Sequence, residues 1–209
     1  MEMAVESSLR ERQKTRRRAD ILAAGKALFS RRGYSTTSMQ AIAQASEVGI
    51  ATVYNYFGTK GSLLAEILRA DFDLLFERGE AMLAQKPGDL DKGVLELIEL
   101  YQQFQDHWEP RHMLVAVMGP GLSAEPELGE LARDAESRVM SQLVALLSLY
   151  QRAGKVRADI DINDAALIIF YIFNQHFIEY VSQETVEFSA MKAAMDRQIR
   201  FIVSAIRQG

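Results

Sequence analysis

Apolar residues recur at spacings of three and four over most of this chain, and nowhere do Val, Ile and Thr alternate with polar residues as a half-buried strand requires. That spacing restricts the fold to packed helices. All four prolines, Pro87, Pro110, Pro120 and Pro126, fall in the middle of the chain, where they punctuate helices. An all-α fold is therefore expected, and 209 residues that are 48% hydrophobic can bury a substantial core. The longest apolar run, Ala165 to Phe173, is far shorter than the roughly 18 residues that span a bilayer, so no membrane span is expected. A polar, charged stretch from Glu6 to Asp20 leaves no room for a secretory signal, and the absence of cysteine excludes disulfides and thiolate metal sites. The expected location is the cytoplasm.

The periodicity divides the chain into segments. A first helix is predicted from about Arg12 to Arg31, with Ile21, Leu22, Gly25, Leu28 and Phe29 on its buried face and Gly33 as its cap. Two short helices follow, Met39 to Ala45 and Ile50 to Tyr56, too short to persist without packing. Thr59 is the predicted N-cap of a longer helix carrying Leu63, Leu64, Ile67, Leu68, Phe72, Leu75 and Phe76. Beyond Lys86-Pro87-Gly88, one helix is marked by Val94, Ile98, Tyr101, Phe104 and Trp108, a short one is expected at Met113 to Met118, and a long one runs from Leu128 to Tyr150. Two more are expected at Ala165 to Val181, apolar nearly all round, and at Phe188 to Ile206. Their apolar surface exceeds what one chain covers, which predicts a homodimer through these last two helices.

Charge is unevenly divided. Residues 1–60 carry a net +5 and the remainder −9, within a total of −4. A basic end on an acidic body suits a protein that meets a polyanion with one end only. The segment from Ser35 to Lys60 has the build of a helix-turn-helix: a short helix, a tight turn at Ser46-Glu47-Val48, and a second short helix. Ile42, Ala43, Val48 and Val53 supply the hinge between the two. Thr52, Tyr54, Asn55 and Tyr56 are the outward set, able to bond base edges or phosphates.

Gly33-Tyr34, Thr37-Ser38-Met39, Ile42-Ala43, Val48, Thr52-Val53-Tyr54, Tyr56-Phe57, Lys60 and Leu63-Leu64 together resemble the tetracycline-repressor (TetR, AcrR-type) family of transcriptional regulators over about residues 14 to 64. The resemblance implies an N-terminal three-helix DNA-binding bundle in residues 1–58, followed by a helical effector-binding and dimerisation body in residues 59–209. Carried over by position, Gln40 is the expected base reader. Thr52, Tyr54 and Asn55 lie in or beside the major groove, Tyr56 and Lys60 hold phosphates, and Thr37 or Ser38 caps the second helix beside a phosphate. Three positions depart from the family pattern: Glu47 stands where glycine is usual in the turn, Gly49 replaces a serine cap, and Gly61-Ser62 replace an acidic cap of the fourth helix.

In the body, the resemblance places a pocket for a small, largely apolar effector among the aromatic helices, with Tyr101, Phe104, His107, Trp108, Arg111, Phe170, Phe173, Asn174 and Phe177 as its candidate residues. His107, His112 and His176 are not spaced as metal ligands, and no metal or other cofactor is expected. The partners expected are double-stranded operator DNA, the effector and a second copy of the chain. The leading reading is thus a repressor released from its operator by ligand. The competing one is a constitutive DNA-binding protein of the same fold that recruits a protein partner. An enzyme is disfavoured, because no Gly-rich phosphate loop, Ser/His/Asp order or paired metal ligands occur.

Overall fold

The computed structural model describes residues 2–85, 88–103, 125–183 and 185–209. The expected short helix at Met113 to Met118 lies outside them, as do Phe104, His107, Trp108 and Arg111. The described residues form eight helices: α1 Glu2–Arg32, α2 Met39–Ala45, α3 Ile50–Phe57, α4 Lys60–Leu83, α5 Leu90–Gln102, α6 Pro126–Arg152, α7 Ile162–Ser182 and α8 Phe188–Ile206. Among them there is no strand, only an isolated bridge between Val156 and Arg207. The all-α expectation holds.

Helix α1 begins at Glu2, well before the expected Arg12. Residues 2–11 contain no glycine or proline and are rich in helix formers, so the helix begins upstream of the segment that periodicity marks. It ends where Gly33, at φ 82°, donates its N–H to the Phe29 carbonyl at 2.8 Å. Its buried face starts at Ile21 and continues through Leu28 and Phe29. Gly25 lies between them, and a Cβ there would sit 2.7 Å from Cδ2 of Leu63, so the missing side chain sets the close approach of α1 to α4. Helices α2 and α3 add Ile42, Ala43, Val53 and Phe57 to the same core, which is how such short helices are held.

Helix α4 is common to both ends of the molecule. Its first half buries Leu63, Leu64, Ile67 and Leu68, and its second half buries Leu75 and Phe76 in the body. There α4 packs on α6, α6 on α7 and α7 on α8, while α5 is wedged against α4, α6 and α8. Side chains fix most of the helix starts: Thr59 accepts from the Ser62 N–H at 2.9 Å, and Asp161 accepts from the N–H groups of Asn163 and Asp164. The last helix is tied back by the Arg157 N–H to the Ile206 carbonyl at 2.9 Å and the Gln208 N–H to the Lys155 carbonyl at 3.0 Å.

Helix α7 buries Ala165, Ala166, Ile169, Phe170, Phe173, Phe177 and Val181. Its other face leaves Leu167, Ile168 and Tyr171 at 38, 45 and 58% exposure, and Phe201 of α8 is 72% exposed. No helix of the described residues is long and apolar enough to cross a membrane.

The turn between α2 and α3 holds its one departure in a strained form. Glu47 has φ 54°, the left-handed region that an L side chain enters at a cost of about 1 kcal/mol. Glu47→Gly is expected to stabilise the protein by up to that amount, raising the thermal midpoint by about 2–4 °C. A lowered midpoint in differential scanning calorimetry would show that the glutamate makes a compensating contact.

Candidate nucleic-acid interface

The outward surface of the N-terminal bundle is built from α2 and α3. Ser38 caps α2, its Oγ accepting from the Ala41 N–H at 3.2 Å, and Gln40 stands exposed in the first turn behind it. The turn is closed by the Val48 N–H to the Ala43 carbonyl at 3.0 Å and by the Ser46 hydroxyl to the Ile42 carbonyl at 2.7 Å. Helix α3 starts at Gly49 with no side-chain cap. It turns Val53 and Phe57 inward and leaves Tyr54, at 48% exposure, and Asn55 outward, with Thr52 half-buried beside them. Gln40, Tyr54 and Asn55 thus occupy the exposed surface of two adjacent helices, with hydrogen-bonding groups that suit base edges.

Three of the expected contact residues are engaged inside the fold. Thr37 is 2% exposed and donates its hydroxyl to the Gly33 carbonyl at 2.8 Å, so the cap is Ser38 alone and Thr37 is corrected from a surface group to an internal one. Tyr56 is half-buried and donates to the Lys14 carbonyl at 3.3 Å, tying α3 to α1. Lys60 donates from Nζ to the carbonyls of Tyr34 at 2.8 Å and Thr37 at 3.1 Å, and its ammonium lies 4.2 Å from the Tyr34 ring centroid. Burial pushes the Lys60 pKa down, against an opposing pull from Glu125. A phosphate role for Tyr56 or Lys60 therefore competes with bonds that hold the bundle together. Arg18 is also used internally, paired with Glu66 and set over the Phe57 ring at 5.4 Å.

The start of α4 is clasped by the body. Tyr34 donates its hydroxyl to Oε1 of Glu125 at 2.7 Å, while Ser62 and Thr59 donate theirs to Oε1 of Glu127 at 3.0 and 3.4 Å. Glu125 lies so close over α4 that a Cβ at Gly61 would collide with its Oε2. The acidic group missing from α4 itself is thus supplied by the beginning of α6, where negative charge favours a helix N-terminus. Glu127 is held below the ordinary carboxylate range, first by its own backbone N–H and then by the Ser62 hydroxyl. Tyr34 is pushed well up, mainly by burial and then by its bond to Glu125. The sequence showed the vacancy at Gly61-Ser62 but gave no sign that Glu125 and Glu127 fill it.

Within the body, the described candidates form part of an aromatic ladder. Phe72, Phe76, Tyr101, Phe173 and Phe177 follow one another at centroid separations of 6.4, 6.0, 6.3 and 6.0 Å, from α4 across α5 to α7. Phe170 is buried nearby on α7, and Asn174 is half-buried. Tyr101 donates to Oε1 of Gln142 at 2.6 Å, and Gln142 donates from Nε2 to the Phe76 carbonyl at 2.9 Å. Burial pushes the Tyr101 hydroxyl well above its ordinary pKa. Periodicity had assigned Phe72 and Phe76 to packing and had not marked Gln142. His176 is held by Gln198 of α8, with Nε2 3.1 Å from its Oε1.

Residues 21–67, which include this helix-turn-helix and the start of α4, match the family model for bacterial regulatory proteins of the tetR family. The HTH-type transcriptional repressor KstR of Rhodococcus jostii is 30% identical over 129 residues, covering 61% of this chain and 60% of that repressor. A putative transcriptional regulator from Saccharomonospora viridis, solved in complex with choline, shares the fold at a TM-score of 0.73 and 22% identity, over 93% of this chain and 100% of that one. The transcriptional regulator FadR from Bacillus subtilis, solved in complex with stearoyl-CoA, aligns at a TM-score of 0.69 and 17% identity, over 90% and 98% of the two chains. The chain thus resembles TetR-family regulators in its helix-turn-helix and the start of α4, shares the fold of solved members, and spans about 60% of the length of the KstR repressor that it matches.

Glu127, held by its own backbone N–H and by the hydroxyls of Ser62 and Thr59, is expected to lose its hold in acid. Because the Glu127 pKa is depressed in the folded state, its contribution is present above the ordinary value of 4.5 and is lost as the pH falls through the lower folded value. Glu127→Gln is expected to lower the thermal midpoint near pH 7, and the difference from wild type should shrink as the pH falls below about 4. A difference that is the same at pH 7 and at pH 3 would contradict that assignment.

Proposed function

We propose that this protein is a dimeric, ligand-responsive repressor that binds operator DNA through α2 and α3 and is released by a small, largely apolar effector held in its body. The observation that carries the reading is the outward set of Gln40, Tyr54 and Asn55 on a helix-turn-helix whose remaining polar side chains are largely committed to internal bonds. Residues 1–58 serve as the reading unit and residues 59–209 as the body, with α4 packed into both. The excess of basic residues in the first 60 positions supports the same orientation. A repressor of this kind acts in the cytoplasm, where its duplex is.

Leu167, Ile168, Tyr171 and Phe201 supply the apolar surface for a two-fold dimer of α7 and α8. Two reading units one helical turn apart then meet a symmetric site. For the effector, Tyr101, Phe170, Phe173, Asn174 and Phe177 are the described candidates, and Phe104, His107, Trp108 and Arg111 complete the set. The ligands bound by the two fold neighbours, choline and stearoyl-CoA, support a body that takes small molecules without specifying which. Release requires that the ligand favour one spacing of the reading units over another, by a coupling of about 1–3 kcal/mol. The aromatic ladder and the clasp at Glu125 and Glu127 are the contacts through which a change in the body reaches α4.

Selection from a random duplex library with the whole protein should yield a two-fold symmetric site. Re-adding small molecules extracted from protein purified from its host should weaken that complex. A constitutive binder would hold the site regardless of the extract. Gln40→Ala should relax preference at one position of each half-site at a cost of about 1–3 kcal/mol at fixed salt, since a glutamine pairs bidentately with adenine. Equal weakening on selected and random duplexes would move base reading from Gln40 to the recognition helix or to DNA shape.

A further inference from the structure

Among the described residues, one buried side-chain polar atom has no hydrogen-bond partner, Oε1 of Gln102. Gln102 closes α5 at 3% exposure, and its Nε2 reaches only the thioether of Met195 on α8, at 3.5 Å. Sulfur is a weak acceptor. Turning the amide over would set the carbonyl against that sulfur, acceptor facing acceptor, so the present orientation is the better of the two. The adjacent residue gives the contrast: Tyr101 is bonded to Gln142 and Gln142 to the Phe76 carbonyl. Among the described residues the other buried side-chain polar atoms are paired, and a buried acceptor left unpaired destabilises the empty protein.

Gln102 also sits where a ligand-orienting group would be useful. It follows Tyr101, a rung of the aromatic ladder 6.3 Å from Phe173, and it touches α8 through the buried Met195. Small-molecule sites combine such apolar walls with few polar groups that fix orientation. A site built to bond a ligand donor also discriminates strongly against an analogue that lacks it, because the acceptor then stays unpaired.

We propose that Gln102 is the specificity-determining residue of the effector site, its Oε1 accepting a hydrogen bond from a hydroxyl on an otherwise apolar ligand. This rests on the effector reading given above. The ligand supplies the donor that the described residues leave out, so binding removes the penalty borne by the unpaired acceptor.

Two isomeric probes test it, 1-octanol and 1-methoxyheptane, which have the same atoms but differ in whether the oxygen carries a proton. Titration calorimetry on the full-length protein should show 1-octanol binding roughly tenfold more tightly. Gln102→Met, which keeps the shape and removes the strong acceptor, should bind the two isomers within about twofold of each other and melt no lower than wild type when empty. Equal binding of both isomers to wild type, or a Gln102→Met variant that keeps the preference or melts several degrees lower, overturns the role of Gln102 and leaves the apolar site standing. Binding of neither isomer overturns the effector reading itself, and this inference with it.

Discussion

The structure depends on α4 being buried at both ends in different company. Its 24 residues make a rod of roughly 36 Å. The first half closes the core under α1, α2 and α3, and the second half lies against α6 in the body. Neither half can shift without the other unless the helix breaks, and no proline lies within it. The start of the rod is held by Tyr34 and Lys60 on one side and by Glu125 and Glu127 on the other. A rearrangement that moves the beginning of α6 therefore acts on the base of the reading surface directly.

The polar side chains of the N-terminal bundle divide into two groups, and the division narrows which of them the proposed duplex contact would use. Thr37, Tyr56, Lys60 and Arg18 look like surface groups by composition, yet each is tied to a backbone carbonyl, a carboxylate or a ring within the bundle. They set the angle between α1, α3 and α4. Gln40, Tyr54 and Asn55 remain outward. Preorganisation of this kind matters because side chains that read bases must be presented at a fixed register, and the internal bonds fix it.

Much of this was legible in the sequence because helical burial leaves a strong period. The Thr59 cap, the glycine end of α1 and the two short helices followed from residue type and spacing, while the resemblance narrowed the α2 cap to Thr37 or Ser38 and marked Glu47 as standing where the turn usually has glycine. Contacts between distant segments were not legible. Tyr34 meets Glu125 across 91 positions and Tyr101 meets Gln142 across 41, and no local pattern encodes such pairs. Gln102 escaped for a related reason: periodicity marks Tyr101 and Phe104 as the buried positions and leaves a glutamine between them unmarked, and only packing by α8 shows that it is buried. The early start of α1 was missed because periodicity detects burial and not helicity.

In the proposed dimer, two copies of this chain place their α2–α3 faces at a spacing that the duplex fixes. The chain has no cysteine, so Gln44→Cys, at an exposed position of α2, gives one spin label per copy. Double electron–electron resonance on the labelled protein, free and on a duplex selected from a random library, measures the separation directly. A two-fold dimer gives a dipolar signal in both states and, on the duplex, a single narrowed distance consistent with reading units about 34 Å apart, one turn of the double helix. Absence of dipolar coupling, or a distribution that the duplex leaves unchanged, would contradict it.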